Sequence, residues 1–204
     1  MIPTRFSLLL PLFFIGCSDP LETFPPLKPS APKDVPTGVH ISNLDEHEGI
    51  TYLRTLEGRS VEPYSGKIYA RHTNGQLGEK GAYLEGKKHG PFERYYENGQ
   101  IEKKENYSGG MRHGAFQMYY PNGQLWKSAA YQDDKQNGPY ESYYSNGQTE
   151  ERASYANGML HGPYESHHEN GKVKETADYQ NGEKHGTFTR YYDCLLYTSP
   201  SPRD

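Results

Sequence analysis

Across residues 50 to 193 about half of the apolar positions are aromatic, and apolar positions alternate with charged and polar ones. Gly90-Pro91-Phe92-Glu93-Arg94-Tyr95-Tyr96 and Ile101-Glu102-Lys103-Lys104-Glu105-Asn106-Tyr107 show the two-residue period of strands. Between them stands Asn98-Gly99, a strong short hairpin signal, because a two-residue type I′ turn needs positive φ at both central positions. That turn sets Glu97 opposite Gln100, Tyr96 opposite Ile101, Arg94 opposite Lys103, Phe92 opposite Glu105 and Gly90 opposite Tyr107. Phe92, Tyr96, Ile101 and Tyr107 then share one side with Arg94, Lys103 and Glu105. Glu93, Tyr95, Glu102 and Lys104 share the other. Tyr107 across from Gly90 suggests a ring covering a glycine that has no side chain to pack.

The phrase recurs. Gly66, Gly90, Gly114, Gly138, Gly162 and Gly186 are spaced by 24 residues, as are Gly75, Gly99, Gly123, Gly147 and Gly171. Tyr83, Tyr107, Tyr131, Tyr155 and Tyr179 keep the same step. Three markers on one period without insertion indicate a repeat array. The connection Tyr107-Ser108-Gly109-Gly110-Met111-Arg112-His113-Gly114 is polar and glycine-rich and reads as a loop into the next hairpin. The expected fold class is all-β: antiparallel hairpins forming an elongated single-layer meander sheet, each repeat adding roughly 10 Å at ~4.8 Å per strand. Ile50–Arg54 and Arg59–Gly66 read as an irregular opening hairpin, as terminal repeats commonly cap an exposed edge.

Composition agrees with a thin sheet. Only 33% of the 204 residues are hydrophobic, while Tyr is 19 and Gly is 22. That is too little aliphatic surface for a thick core. A net charge of -4 carries no nucleic-acid footprint. At the N-terminus, Arg5 followed by the apolar run Phe6–Ile15 reads as an export signal, too short to span a bilayer. Residues 1–17 are expected to be this signal and residues 18–48 a Pro-rich disordered tether. Residues 49–193 are expected to be the repeat domain. Residues 194–204 break the pattern, with Leu195 where the next Asn-Gly glycine is due. They resemble a translated sequencing adapter, which marks them as a non-native tail and removes Cys194 from any chemical argument.

No catalytic arrangement stands out. There is no Gly-x-Ser-x-Gly, phosphate-binding glycine loop or Cys pair at zinc spacing, so the expectation is no enzyme, no metal and no cofactor. His89, His113, His161 and His185 share one repeat position, with Asn137 in the remaining copy. Neighbouring copies lie roughly 10 Å apart by the strand spacing, too far to share one ion at ~2 Å bonds. The informative surface is aromatic: Phe92, Tyr96, Phe116, Tyr120, Tyr140, Tyr144, Tyr164 and Phe188 form the candidate binding face, with self-packing inside a curled sheet as the alternative.

The pattern Tyr-x-x-Gly-x-x-His-Gly-x-Phe-x-x-Tyr-Tyr-x-Asn-Gly-Gln-Leu, closest in Tyr83–Ile101 and Tyr107–Leu125, resembles the MORN repeat variant of the YwqK-type family of bacterial proteins. Those proteins are often labelled toxin–antitoxin antitoxins. The resemblance implies a hairpin array used for binding or scaffolding, without a cofactor. Phe14-Ile15-Gly16-Cys17 resembles the bacterial lipobox, with Phe14 where Leu is usual. That resemblance implies diacylation of Cys17 and a lipid-anchored place in the cell envelope, at the outer membrane in a Gram-negative cell. The expected function is a non-catalytic envelope lipoprotein offering a protein-binding or scaffolding surface. The expected partners are the membrane, through the anchor, and a protein or envelope polymer. Self-association through the aromatic face and a toxin, on the alternative antitoxin reading, complete the set.

Overall fold

The structure, a computed structural model, describes residues 38–55 and 58–192. The signal segment, Cys17, most of the proposed tether and residues 194–204 lie outside the described residues. The chain opens with β1 (Val39–His40), a 3-10 turn (Ile41–Asn43), β2 (Leu44–His47), β3 (Ile50–Thr55) and β4 (Gly58–Pro63). The repeats follow as β5 (Gly66–Arg71), β6 (Leu77–Leu84), β7 (Lys87–Lys88), β8 (Gly90–Tyr95), β9 (Ile101–Ser108), β10 (Met111–Arg112), β11 (Gly114–Tyr119) and β12 (Leu125–Gln132). They continue as β13 (Lys135–Tyr143), β14 (Thr149–Ala156), β15 (Met159–Leu160), β16 (Gly162–His167), β17 (Val173–Gln180) and β18 (Glu183–Arg190).

Fifteen strands build one open sheet whose main path is β1-β5-β6-β8-β9-β11-β12-β13-β14-β16-β17-β18. All its pairings are antiparallel except β1 with β5. The fold is therefore the expected all-β hairpin meander. β2, β3 and β4 form a separate three-stranded sheet at the N-terminal end, which contains the expected opening hairpin. Ordered structure reaches further back than the expected domain start at 49. Val39 pairs with Ile68, and Leu44–His47 pairs with Ile50–Leu53, so residues 38–48 are a cap on the array rather than tether. Val39 and Leu44 supply apolar positions that the proline-based reading overlooked.

The Asn-Gly turn differs from the expected type I′. Gly99 has φ 82°, but Asn98 is not among the residues with positive φ. The Gly99 N–H donates to the Tyr96 carbonyl at 2.9 Å, and the Tyr96 N–H to the Gln100 carbonyl at 2.8 Å. This is a type I turn closed by a left-handed glycine, which makes a three-residue loop. The Asn98 carboxamide oxygen accepts the Gln100 N–H at 2.9 Å and favours this turn over the primed one. The extra residue is absorbed as a bulge: Gly90↔Tyr107, Phe92↔Glu105 and Arg94↔Lys103 hold, but Tyr95, not Tyr96, pairs with Ile101.

The type I′ turns sit at the opposite ends of the hairpins, where a loose loop was expected. Gly109-Gly110, Asp133-Asp134, Asn157-Gly158 and Asn181-Gly182 have positive φ at both positions. Short strands flank them, as in Ser108↔Met111 and Ala156↔Met159. The glycine before each long strand also has another reason than ring cover. Gly90 has φ 76°, and a Cβ there would meet nothing within 4 Å. Its backbone, bent where β7 passes into β8, needs the left-handed region.

Two hydrogen-bond series join successive repeats. At the Asn-Gly end, the hydroxyls of Tyr96, Tyr120 and Tyr144 donate to the carbonyls of Tyr119, Tyr143 and His167 at 2.7–2.8 Å. His72 holds the same place, its Nε2 2.7 Å from the Tyr95 carbonyl. Asn74, Asn98 and Asn146 add side-chain donors to Glu97, Pro121 and Glu169 carbonyls. At the other end, the N–H groups of Gly110, Asp134, Gly158 and Gly182 donate to the carbonyls of Lys88, Arg112, Gln136 and Leu160. Each bond contributes about 1 kcal/mol net, so the boundaries are stitched by many small terms. Tyr120→Phe removes one of them while keeping the ring. It is expected to lower the unfolding free energy by about 1 kcal/mol in a urea titration; an unchanged midpoint would mean the hydroxyl bond is not a joint.

Candidate interaction face

The sequence-predicted face divides into three groups. Phe92, Phe116, Tyr140 and Tyr164 alternate inward on the first long strand of each hairpin. Each meets the tyrosine of the following strand edge to face: Phe92–Tyr107 at 5.1 Å, Phe116–Tyr131 at 5.5 Å, Tyr140–Tyr155 at 5.7 Å and Tyr164–Tyr179 at 5.6 Å. Edge-to-face pairing at this distance adds roughly 0.5–1.5 kcal/mol beyond area burial. Phe92 and Phe116 are only 4% and 9% exposed. Tyr96, Tyr120 and Tyr144 form the second group, the clamps already described. Phe188 is the third. It is 44% exposed and carries the Lys184 ammonium 3.6 Å from its ring centre.

A row of small residues lets the rings lie down. Ala129, Ala153 and Ala177 share one repeat position, and all are buried. Gly81 holds the same position beneath Phe92, whose ring is 2.4 Å from where a Cβ would stand. Glu105 is the exception in this row. Its carboxylate is buried at 8% exposure, paired with Lys103 at 2.7 Å and accepting the Tyr107 hydroxyl at 3.2 Å. Burial first, and Glu105 second, push the Tyr107 hydroxyl up to about 12.

Cations lie over the rings along this face. Lys88 sits 4.8 and 5.0 Å from the Phe92 and Tyr107 ring centres, and Arg112 4.2 Å from Tyr131. Lys127 reaches both Trp126 and Tyr140 at 5.5 Å. The bulge next to the turn brings further residues to this side. Trp126, at the position of Glu102, packs against Tyr120 at 5.8 Å. Glu150, one repeat on, accepts the Ser142 hydroxyl at 3.1 Å. The regular alternation had put Glu102 on the charged side. Trp126 was therefore absent from the predicted face, and only knowledge of the bulge would have brought it in.

The opposite face has its own regular contacts. Tyr95, Tyr119 and Tyr143 donate to Glu93, Gln117 and Glu141, two residues earlier on the same strand, and His167 lies 2.7 Å from Glu165. Lys80 joins Glu93 at 3.0 Å. Burial alone would raise the Glu93 carboxyl, but the Tyr95 hydroxyl and the Lys80 ammonium outweigh it and hold it below its usual range. Among the described residues, no group of three or more His, Cys, Asp or Glu is placed to hold a metal ion. A groove of about 450 Å³ on this face is lined by Arg152, Pro163, Glu165, Thr176, Asp178 and Thr187, among others.

Glu151 is the carboxylate least at ease on the aromatic side. Burial first, then the neighbouring Glu150, raise its pKa, with Lys127 opposing. A carboxyl raised on folding destabilises the charged folded state, so its penalty appears as pH rises through the folded pKa and vanishes once both states are protonated. Glu151→Gln is expected to raise the urea midpoint near neutral pH and to lose that advantage near pH 4. An equal gain at both values would exclude an electrostatic origin.

Residues 88–108, 112–133, 136–157 and 160–181 match the MORN repeat variant. Each match opens at a short strand such as β10, or at β13, and runs through the Asn-Gly turn to the next type I′ turn. The chain thus carries four MORN-type repeats in the core of its sheet. No characterised protein gives a significant match.

Proposed function

We propose that the chain is a non-catalytic envelope lipoprotein, anchored through an acylated Cys17, whose repeat array is a rigid protein-binding surface centred on Trp126. MORN repeats commonly mediate protein or membrane binding and are non-enzymatic in general. The observation that carries the reading is the part-exposed strip of Tyr120, Trp126, Lys127 and Tyr144 on a sheet where Phe92, Phe116, Tyr140 and Tyr164 are committed to packing against the tyrosines of the following strands. Trp and Tyr on a pre-ordered backbone lose little entropy on binding and dominate interface energetics. Tyr120 and Tyr144 are fixed by their carbonyl bonds, so a partner meets a surface already in its bound shape. Glu151, with Glu150 beside it, lies next to Lys127 of the strip, and these charges favour a protein partner with both charge signs over a uniform polyanion.

The apolar segment ending in Gly16-Cys17 supports the anchor. A diacylglyceryl group joined to the Cys17 sulfur by a thioether, with an acyl chain on the amine freed by cleavage, would provide the two or more membrane signals that stable attachment requires. Two readouts test the two halves separately. Labelled palmitate should enter the wild-type chain and vanish in Cys17→Ser; persisting label would end the anchor reading. In-cell cross-linking should give a discrete protein adduct that falls about tenfold in Trp126→Ala and survives in Tyr52→Ala on the N-terminal cap. Loss of the adduct in neither variant, or equally in both, would contradict a surface centred on Trp126.

A further inference from the structure

The sequence contains eight Asn-Gly pairs, at Asn74, Asn98, Asn122, Asn137, Asn146, Asn157, Asn170 and Asn181. Asn-Gly is chemically unstable in an unfolded chain. The glycine amide nitrogen attacks the asparagine Cγ, expels ammonia and closes a five-membered succinimide. Water then opens the ring at either carbonyl, leaving aspartate or isoaspartate. Glycine permits the attack because it has no side chain to obstruct it and few restrictions on its backbone. No oxidant, reductant or enzyme is required.

We propose that the fold sorts these eight pairs, and that Asn157 and Asn181 are its two deamidation sites. The carboxamides of the turn asparagines are held. The oxygens of Asn74, Asn98, Asn122, Asn146 and Asn170 accept the N–H two residues on, at 2.9–3.0 Å. The nitrogens of Asn74, Asn98 and Asn146 donate across the repeat boundary at 2.9–3.0 Å, and that of Asn122 approaches Gln124 at 3.4 Å. Asn137 is held through Gln132 at 2.7 Å and the Asn157 N–H at 3.4 Å. A carboxamide fixed at both ends cannot swing Cγ onto the following nitrogen.

Asn157 and Asn181 are different. They occupy the first position of type I′ turns, with φ of 52° and 53°, and both are exposed. Their carboxamides make no hydrogen bond among the described residues, so the backbone alone restrains them: the Asn157 N–H, 3.4 Å from the Asn137 carboxamide oxygen, and the two glycine amides. Those amides donate to Gln136 and Leu160 at 2.8 Å, so reaction proceeds through brief opening of one repeat boundary. The product is compatible with the fold. Asp133 and Glu85 already stand at the same turn position with φ of 50°, so an aspartate there is accommodated. Isoaspartate inserts a backbone atom into a two-residue turn and breaks its register. Each conversion adds one negative charge to a chain of formal net charge -4, at the end of the hairpins opposite the Asn-Gly turns.

The test is peptide mapping by mass spectrometry of the full chain held at mildly alkaline pH, with and without urea. Native protein should accumulate aspartate and isoaspartate at Asn157 and Asn181 at least several-fold faster than at Asn98, Asn122 and Asn146. In urea all these sites should converge. Native rates equal at all sites, faster at the turn asparagines, or a difference that persists in urea would each overturn the proposal. Isoelectric focusing gives an independent check: the slow acidic shift of the stored protein should disappear in the Asn157→Gln, Asn181→Gln double variant, and its persistence would count against these sites.

Discussion

The fold depends on one constraint: each hairpin is fastened to the next at both ends. At the Asn-Gly end a Tyr or His side chain reaches a carbonyl in the following repeat, as Tyr96 does to Tyr119 and Tyr120 to Tyr143. At the far end a turn N–H reaches back to a carbonyl in the preceding one, as Gly158 does to Gln136. Both spans must be met at once, so a hairpin longer or shorter by a residue would satisfy one joint and break the other. This accounts for a 24-residue period kept without insertion across loops that would otherwise tolerate length changes. It also accounts for Asp134, a non-glycine held at φ 66°, whose N–H makes the joint while its carboxylate binds Arg112 at 3.0 Å.

A single-layer sheet has no second layer to cover its rings, so the rings cover one another. Phe92 lies between Tyr83 and Tyr107 over Gly81, and Ala129, Ala153 and Ala177 leave the same space in later repeats. Lysines and an arginine then lay their charges over the ring faces. What remains for a partner is narrower than a continuous aromatic stripe. It is an ordered strip in which Trp126 and the clamp tyrosines stand among charges of both signs. Such a surface favours recognition of shape over general adhesion.

Much of this was legible in the residues. Period, hairpin pairing and the partners Gly90↔Tyr107 and Phe92↔Glu105 follow from alternation and the turn signal. The turn types were exchanged, because Asn-Gly serves both kinds of turn. The deciding feature is the carboxamide of Asn98 reaching the Gln100 N–H, a contact that composition does not announce. The resulting bulge moved Tyr95 opposite Ile101 and carried Trp126 to the aromatic side, which strict alternation places elsewhere. The clamp role of Tyr96, Tyr120 and Tyr144 was hidden for another reason. Their acceptors are main-chain carbonyls one repeat away, and a carbonyl leaves no trace in sequence.

The most direct test of the boundary joints is native-state hydrogen exchange at Gly110, Asp134, Gly158 and Gly182. In an isolated hairpin these turn amides face water and exchange freely. In the joined array they are expected to be protected to within about tenfold of the central strand amides of the same hairpins, because each is released only when a boundary opens. Exchange as fast as at the exposed tip residues of the Asn-Gly turns would contradict an array held together by these bonds.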